Sequence, residues 1–546
     1  MDPYKSEDGP CAVCGAPGRA CAGCFSVHYC GREHQLAHWQ KGHKETCAPY
    51  KISKDPVLGR YLEATQDIPA GKFIMKSRPL VCGPQMSSEP VCLSCCRRLQ
   101  NEPDTWYQCT CCGWPLCSSE CQNAEQHRPE CNAMSKAGFY MGRDCGKVTI
   151  LDGLEELNQW SWYGSIVPIR ALLLPQKEYK KMMTLQTHIQ EHRRNPEFNF
   201  KVRSVTNFIH NILKLRDFKE EDIATVLAIF DTNAFEVARA DLNQVGRALY
   251  YMGSMMAHAC NPNARLCHVG EKFEMALMAE QNIPKGGSIN ITYMDRLNGT
   301  LKRLTHLRTT KYFDCCCSRC SDPTDMGLYL DSLRCIKCRG EGKSNLLLST
   351  SPLKLTSDWQ CQDLDCQNKV SAAEMIRMHK ELRNLKQNLD DSLQLSKYEE
   401  FIKQQLGPEG VLHPTSTYIL QIKISLIFDI LGHSPGFYLR ELNNSLLDYK
   451  IRLCQEMLHI AKILHPGYSK TRAFLLMQLQ EALMEQIKRQ LKEKLITSED
   501  AKISAQNAKA FLNEAVSILQ EPARKDDVET KVREFQNCCK RLGIDV

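Results

Sequence analysis

The chain has no apolar run approaching the roughly 18 residues needed to span a bilayer, which argues against a membrane protein. Its first ten residues, Met1 to Pro10, are polar and acidic and carry no secretory apolar stretch, which argues against a small secreted disulfide scaffold. There is no low-complexity tract and no clean fixed-period repeat. No basic run is interleaved with aromatics, so a single-strand nucleic-acid platform lacks its usual foundation. A large excess of one sign of charge is missing too. Seventy basic residues face 63 acidic ones, and the formal excess of +7 is a weak pointer to an acidic partner.

What the chain has in abundance is cysteine, 30 in 546 residues. Without a secretion signal, thiols at this density read as metal ligands. Their distribution divides the chain, which at roughly 150 residues per domain has room for three or four domains. Residues 1–131 hold sixteen, residues 132–259 hold only Cys145, residues 260–366 hold ten, and the last 180 residues hold three.

The first cluster reads Cys11-x2-Cys14, Cys21-x2-Cys24, Cys30-x3-His34 and His43-x3-Cys47. Two residues between paired cysteines let both sulfurs reach one metal, and eight ligands imply two tetrahedral zincs. The second cluster repeats the order: Cys92-x2-Cys95, Cys109-x2-Cys112, Cys117-x3-Cys121, His127-x3-Cys131. Here Cys96 and Cys111 leave the register open, since either could replace its neighbour. The third, Cys315-x-Cys317-x2-Cys320, is one ligand short, and the missing one must come from far away; Cys260 is the candidate. The fourth, Cys335-x2-Cys338 with Cys361-x4-Cys366, looks like a zinc ribbon with one loosened knuckle. The alternative is four thiols in a loop.

Between the clusters the periodicity changes. Tyr61–Thr65, the turn Asp67-Ile68-Pro69-Ala70-Gly71 and Lys72–Met75 predict strand, turn and strand. Residues 140–250 read as largely helical, with Asp217 and Glu220 as a capping box. Strand signals return from 255 to 295 and close with Ile289-Asn290-Ile291-Thr292-Tyr293. After about residue 372 the chain reads as all helix. Leu453, Met457, Ile460 and Leu464 form one apolar stripe, ended by Pro466-Gly467, and Leu476, Leu479, Leu483 and Ile487 form the next. These are the packed faces of antiparallel helices. Lys488, Arg489 and Lys492 are a solvated face.

The first cluster, with Tyr29-Cys30 and His38-Trp39, resembles a MYND finger. Gly59-Arg60-Tyr61, the Asp67–Gly71 turn, Ala257-His258-Ala259-Cys260-Asn261-Pro262-Asn263, Gly286-Gly287 through Tyr293, and the three-cysteine cluster with Phe313 resemble a SET domain with its post-SET zinc loop. A MYND-type finger inside that SET domain resembles the SMYD family. The extra N-terminal finger and the ribbon look most like its arthropod SmydA branch. The resemblance implies an α+β architecture covering nearly the whole chain. A MYND finger would occupy 1–50, SET N-terminal strands 51–90, a second finger 91–135, a helical insert 136–250, the SET core 251–300, the post-SET loop 301–330, the ribbon-like segment 331–370 and a helical, TPR-like domain 371–546.

The resemblance also implies interleaved ligation. Cys11, Cys14, Cys30 and His34 would hold one zinc, and Cys21, Cys24, His43 and Cys47 a second. Cys92, Cys95, Cys117 and Cys121 would hold a third, and Cys109, Cys112, His127 and Cys131 a fourth. His34 stands where the family usually has cysteine. Cys260 matches the family's fourth post-SET ligand. With the ribbon this makes about six zincs, all fully ligated and therefore structural. The activity implied is methyl transfer from S-adenosylmethionine to a protein lysine, of a histone or another protein. Tyr293 stands at the active-site tyrosine, and Arg60, Asn233, Ala257, His258, Tyr293 and Phe313 at cofactor positions. The family's habits further imply a place in the cytoplasm and nucleus, a part in chromatin regulation and transcriptional repression, and MYND docking of proline-containing corepressor peptides. MYND fingers lack the register of DNA-reading fingers.

Four positions depart from the family. Ala257 replaces an asparagine whose amide bonds the cofactor, Tyr61 a glycine, Gly287 an acidic residue, and Lys311 a second active-site tyrosine, with Tyr312 one residue off. A second reading follows from them, a weak or inactive SET/MYND scaffold that binds proteins. The metal count also revises the charge. Six zincs bring +12 and the 21 ligand thiolates −21, taking +7 to about −2 and removing the case for an acidic partner.

Overall fold

The computed structural model describes all residues except 1–8, 22–26, 45–46, 86–89, 100–104, 142–162, 240–243, 270–272, 339–344, 520–524 and 546. The chain packs as two compact units. The first holds residues 1–66, 73–257 and 266–278, and the second holds 67–72, 258–265 and 279–546.

In the first unit, Gly9–Pro10, Pro17–Ala20 and His28–Tyr29 form a small antiparallel sheet beside the helix Arg32–His38. Gly18 lies directly on the Tyr29–Cys30 backbone, where a β-carbon would collide. The strands Tyr50–Asp55 and Gly59–Ala64 pair as a hairpin, Ile52 opposite Leu62. Its turn is set by Asp55, whose Oδ1 accepts from the Val57 and Leu58 N–H groups at 2.7 and 3.0 Å. Phe73–Ser77 pairs with Glu274–Ala279. The two strands flanking the Pro/Gly turn are therefore both present, but each takes its partner from elsewhere in the chain.

The helical insert is shorter than its composition predicts. Helices run from Tyr163 to Asn233, and then Phe235–Arg239 and Gln244–Leu249 form two strands of a sheet completed by Val81–Gly83. The alternation in Phe235-Glu236-Val237 overrides the helical reading. The capping box also moves. The last helix starts at Glu220, and the Asp222 carboxylate accepts from the Lys219 N–H at 3.0 Å, so the i, i+3 pair is 219 and 222 rather than 217 and 220.

In the second unit, the Asp67–Lys72 turn is held by reciprocal bonds between Ile68 and Ile283 (2.8 and 2.9 Å), with Asp67 accepting from the Lys285 N–H at 2.8 Å. Asn263 and Asn290 each accept from the other's backbone N–H, at 3.0 and 3.1 Å. A small sheet of Leu347–Ser349, Trp359–Cys361 and Lys369–Val370 precedes helices that run from Ala372 to Leu542. The two predicted stripes pack as expected: Leu453, Met457, Ile460, Leu464, Leu476, Leu479 and Ile487 are all buried. The first ends at Leu464 because Gly467 takes a left-handed φ of 69° with the Glu280 carbonyl against it, leaving no room for a side chain. No described helix is long and apolar enough to cross a membrane.

One buried charge crosses the helical stripes. Lys450 is buried, and its Nζ donates to the carbonyls of Ile427 (3.2 Å) and Leu431 (2.5 Å) and to Gln478 Oε1 (2.6 Å). Burial pushes its ammonium pKa down. Lys450→Met keeps the volume but strands three acceptors in the core. It is expected to cost about 1–3 kcal/mol, read as a lower midpoint in far-ultraviolet dichroism melts.

Candidate metal centres and the tyrosine they position

A tetrahedral zinc with Zn–S bonds of about 2.3 Å sets its sulfurs about 3.8 Å apart, whereas a disulfide sets them at about 2.05 Å. The sulfurs of each described cluster stand at the first spacing. Cys14–Cys30 is 3.5 Å, Cys21–Cys47 3.6 Å, Cys95–Cys117 3.6 Å, Cys117–Cys121 3.4 Å and Cys109–Cys131 3.6 Å. Among the described residues, the groups that bring ligand atoms within 4.8 Å of one another include five sets of four. They are 11/14/30/34, 92/95/117/121, 109/112/127/131, 260/315/317/320 and 335/338/361/366. The donor sets fit zinc. Cys24 lies outside the described residues; His43 is buried near its site partners' finger, stacked on His38 at 5.1 Å.

Backbone conformation settles the register in the second finger. In three described zinc knuckles the residue after the second cysteine turns left-handed: Gly15 (φ 73°), Cys96 (φ 56°) and Gly113 (φ 76°). That position follows Cys14, Cys95 and Cys112. Cys96 is therefore the turn residue with a buried thiol, and Cys111 is exposed. The glycine after Cys112 was a sequence signal for the choice over Cys111.

The two ligand histidines present different nitrogens. His34 Nδ1 lies 3.0 Å from Cys30 Sγ and 3.6 Å from Cys11 Sγ. His127 turns Nε2 to Cys112 Sγ at 3.5 Å, while its Nδ1 lies 3.0 Å from Glu130 Oε1. Glu130 in turn contacts the Arg170 guanidinium, which donates to the carbonyls of Cys82 (2.7 Å) and Leu93 (2.8 Å). Burial pushes the Glu130 carboxyl up, but Arg170 and His127 outweigh it and hold the group below its ordinary range. A carboxylate behind a ligand histidine fixes its tautomer and strengthens it as a donor. The spacing His127-x2-Glu130 on one helical turn was the overlooked signal.

The post-SET centre forms as the resemblance implies. Cys260 Sγ lies 3.4 Å from Cys320 and 3.9 Å from Cys315. Four thiolates around Zn2+ leave a net charge of about −2 in a buried place, and arginines surround it. Arg303 Nη2 is 3.6 Å from Cys320 Sγ, and Arg319 donates to the Cys260 carbonyl at 3.0 Å. Asp325, itself left-handed (φ 50°), accepts from Arg303 at 2.7 Å and Arg319 at 2.6 Å and holds the two forks apart. Sequence reasoning passed over Arg303 and Asp325. In the ribbon, Cys338–Cys361 is 3.4 Å and Cys335–Cys366 3.8 Å, and Asn368 Nδ2 donates to Cys335 Sγ at 3.4 Å.

His258 joins the post-SET centre to Tyr293. The Tyr293 N–H donates to His258 Nδ1 at 3.1 Å, so Nε2 carries the proton and faces Cys260 Sγ at 3.2 Å. Burial holds the imidazole down to about 4, and it is neutral. Both ring nitrogens serve the protein, which leaves its faces for a ligand. Its centroid is 5.1 Å from Tyr293 and 6.0 Å from Phe313. Burial pushes the Tyr293 phenol up to about 12, so its hydroxyl stays protonated at ordinary pH. Lys311 Nζ lies 5.7 Å from the centre of the Tyr293 ring. The structure thus brings Tyr293, His258 and Phe313 together in the second unit. Arg60, Asn233 and Ala257 belong to the first. Arg60 donates to the Thr184 carbonyl at 2.6 Å, Asn233 spends its amide hydrogens on Gln186 (2.7 Å) and Ile229 (2.8 Å), and Ala257 is buried.

Residues 11–47 match the MYND finger model and residues 59–294 the SET domain model. The Drosophila melanogaster SET domain-containing protein SmydA-8, isoform A, is 29% identical over 389 residues, 69% of this chain and 78% of that one. Histone-lysine N-methyltransferase ASHR1 of Arabidopsis thaliana is 27% identical over 53% of this chain and 60% of its own. Human histone-lysine N-methyltransferase SMYD3 is 24% identical over 50% and 62%. The chain is a SET-domain protein of the lysine-methyltransferase kind, with a MYND finger ahead of it. It belongs to the SMYD family, near the SmydA branch.

Metal analysis of the protein is expected to return about six zincs, all without an open coordination position. Glu130→Gln is expected to weaken one of them about 10–100-fold, read by competition with a chromophoric chelator, while Cys335→Ser removes a different one. Release of every zinc in one unresolved phase from Glu130→Gln would contradict the assignment.

Proposed function

We propose that this protein is an S-adenosylmethionine-dependent methyltransferase acting on lysines of histones or other proteins. The observation that carries the reading is the Tyr293–His258–Cys260 chain, which ties the backbone of a half-buried tyrosine to a four-cysteine centre. The residues fit the donor in kind. The rings of His258, Phe313 and Tyr293 make an apolar, aromatic wall suited to an adenine and a sulfonium. When bound, the cofactor supplies a methyl group on a positively charged sulfur. The Tyr293 oxygen would accept from the methyl C–H groups and from the amine's N–H and so orient the two. Its neutral phenol orients without competing as a nucleophile. The apolar wall disfavours an ammonium and so favours the neutral, reactive amine. The zincs shape the site and take no part in the chemistry.

The finer attributions are of the same standing. We infer docking of proline-containing, corepressor-like peptides at the MYND finger, action in the cytoplasm and nucleus, and a part in transcriptional repression. A scaffold reading is favoured by two observations. Ala257 offers no amide to the cofactor, and the Lys311 ammonium stands where many family members carry a second tyrosine.

Calorimetric titration of the zinc-loaded protein with S-adenosylmethionine separates the two. Measurable heat is expected, and none at millimolar cofactor would leave the scaffold. Ala257→Asn restores the missing amide and is expected to tighten binding five- to hundredfold, the equivalent of about 1–3 kcal/mol. Tyr293→Phe is expected to lower methyl incorporation about a hundredfold or more with cofactor binding retained. Because the phenol titrates near 12, the rate should show no alkaline fall between pH 8 and about 10.

A further inference from the structure

Lys311 ends the helical turn Leu307–Lys311, and Tyr312 after it is left-handed, with φ 59°. That reversal stops the helix and sends Phe313 to the His258 ring, 6.0 Å away. It leaves Lys311 with its Nζ 5.7 Å from the centre of the Tyr293 ring. Lys311 is half-buried, as is the Tyr293 ring beside it. A primary amine at the end of a flexible four-carbon stem thus stands beside the tyrosine whose proposed task is to align a primary amine.

We propose that Lys311 is this protein's own methyl acceptor, its ε-amine being the nucleophile of an intramolecular transfer. The inference rests on the methyl-transfer reading above. The ammonium first gives a proton to water. The freed lone pair forms a C–N bond to the sulfonium methyl, the C–S bond breaks with its electron pair going to sulfur, and the uncharged thioether leaves. The product is a methylammonium with the positive charge now on nitrogen. An acceptor tethered within a few ångströms of the site carries the entropic advantage of an intramolecular reaction. It also competes with lysines of other proteins for the same place.

The test uses the full-length, zinc-loaded chain with methyl-labelled S-adenosylmethionine, digested and read by mass spectrometry. Most of the label is expected on the peptide holding Lys311, at a rate per molecule that does not change on dilution. Lys311→Arg should remove that label and leave cofactor binding intact, and Tyr293→Phe should reduce it about a hundredfold. A second readout needs no cofactor. After chemical reductive methylation with carbon-13, the Lys311 methyl resonance should be displaced upfield by the Tyr293 ring and return towards the solvent position in Tyr293→Leu. Label on lysines of an added protein with Lys311 bare, or an undisplaced Lys311 resonance, would overturn the inference and leave the methyltransferase reading standing. No label anywhere, with no heat on titrating the cofactor, would overturn both.

Discussion

Four thiolates cannot share a buried pocket unless a cation sits among them. Like charges a few ångströms apart in a medium poorer than water repel by several kcal/mol, and each also loses its hydration. A divalent cation reverses that balance and converts repulsion into a folding force. Much of this chain depends on that one conversion. The two fingers, at residues 9–47 and 91–136, contain strands of two to four residues and α-helices of four to nine, too little to bury a core of their own. Metal replaces the core there. The same holds for the ribbon, whose three strands of two or three residues frame Cys335, Cys338, Cys361 and Cys366.

Zinc with four thiolates still carries about two negative charges, and the structure meets that residue of charge with side chains from outside the clusters. At the post-SET centre these are Arg303 and Arg319, both buried and spaced by Asp325. In the second finger one ligand is a neutral histidine, the charge is lower, and the partner is a carboxylate, Glu130, backed by Arg170. The sign of the outer partner follows the charge of the inner set. An arginine behind the four-cysteine centre neutralises it, and a carboxylate behind the mixed centre sharpens its histidine.

This logic explains which parts of the molecule could be read in advance. Ligand spacing is local and chemical, so the clusters were legible from Cys11 to Cys366, including the distant Cys260. Helical stripes such as Leu453–Leu464 were legible because periodicity is local too. The outer partners were not. Arg303 reaches Cys320 across 17 residues and Arg170 reaches Glu130 across 40, and no short-range pattern marks them. Phe235–Arg239 was misread as helix because its fate is decided by pairing with Gln244–Leu249 and, through that strand, with Val81–Gly83. The register between Cys111 and Cys112 was readable after all, from the demand of a zinc knuckle for a left-handed residue at Gly113.

The departures around Tyr293 take on a different meaning once the ring is seen in place. A tyrosine at position 311 would offer a hydroxyl that accepts and orients a visiting amine. Lysine at that position offers an amine of its own, on a longer and more flexible stem. The surrounding framework has not relaxed to match a dead site. His258 still holds both of its hydrogen bonds, the phenol is half-buried, and Phe313 still closes the aromatic cluster. A site drifting without use has no reason to keep a neutral, tautomer-fixed histidine between a zinc ligand and the Tyr293 backbone. On the methyl-transfer reading, lysine at 311 changes the group nearest the Tyr293 ring while the His258–Tyr293 framework is kept.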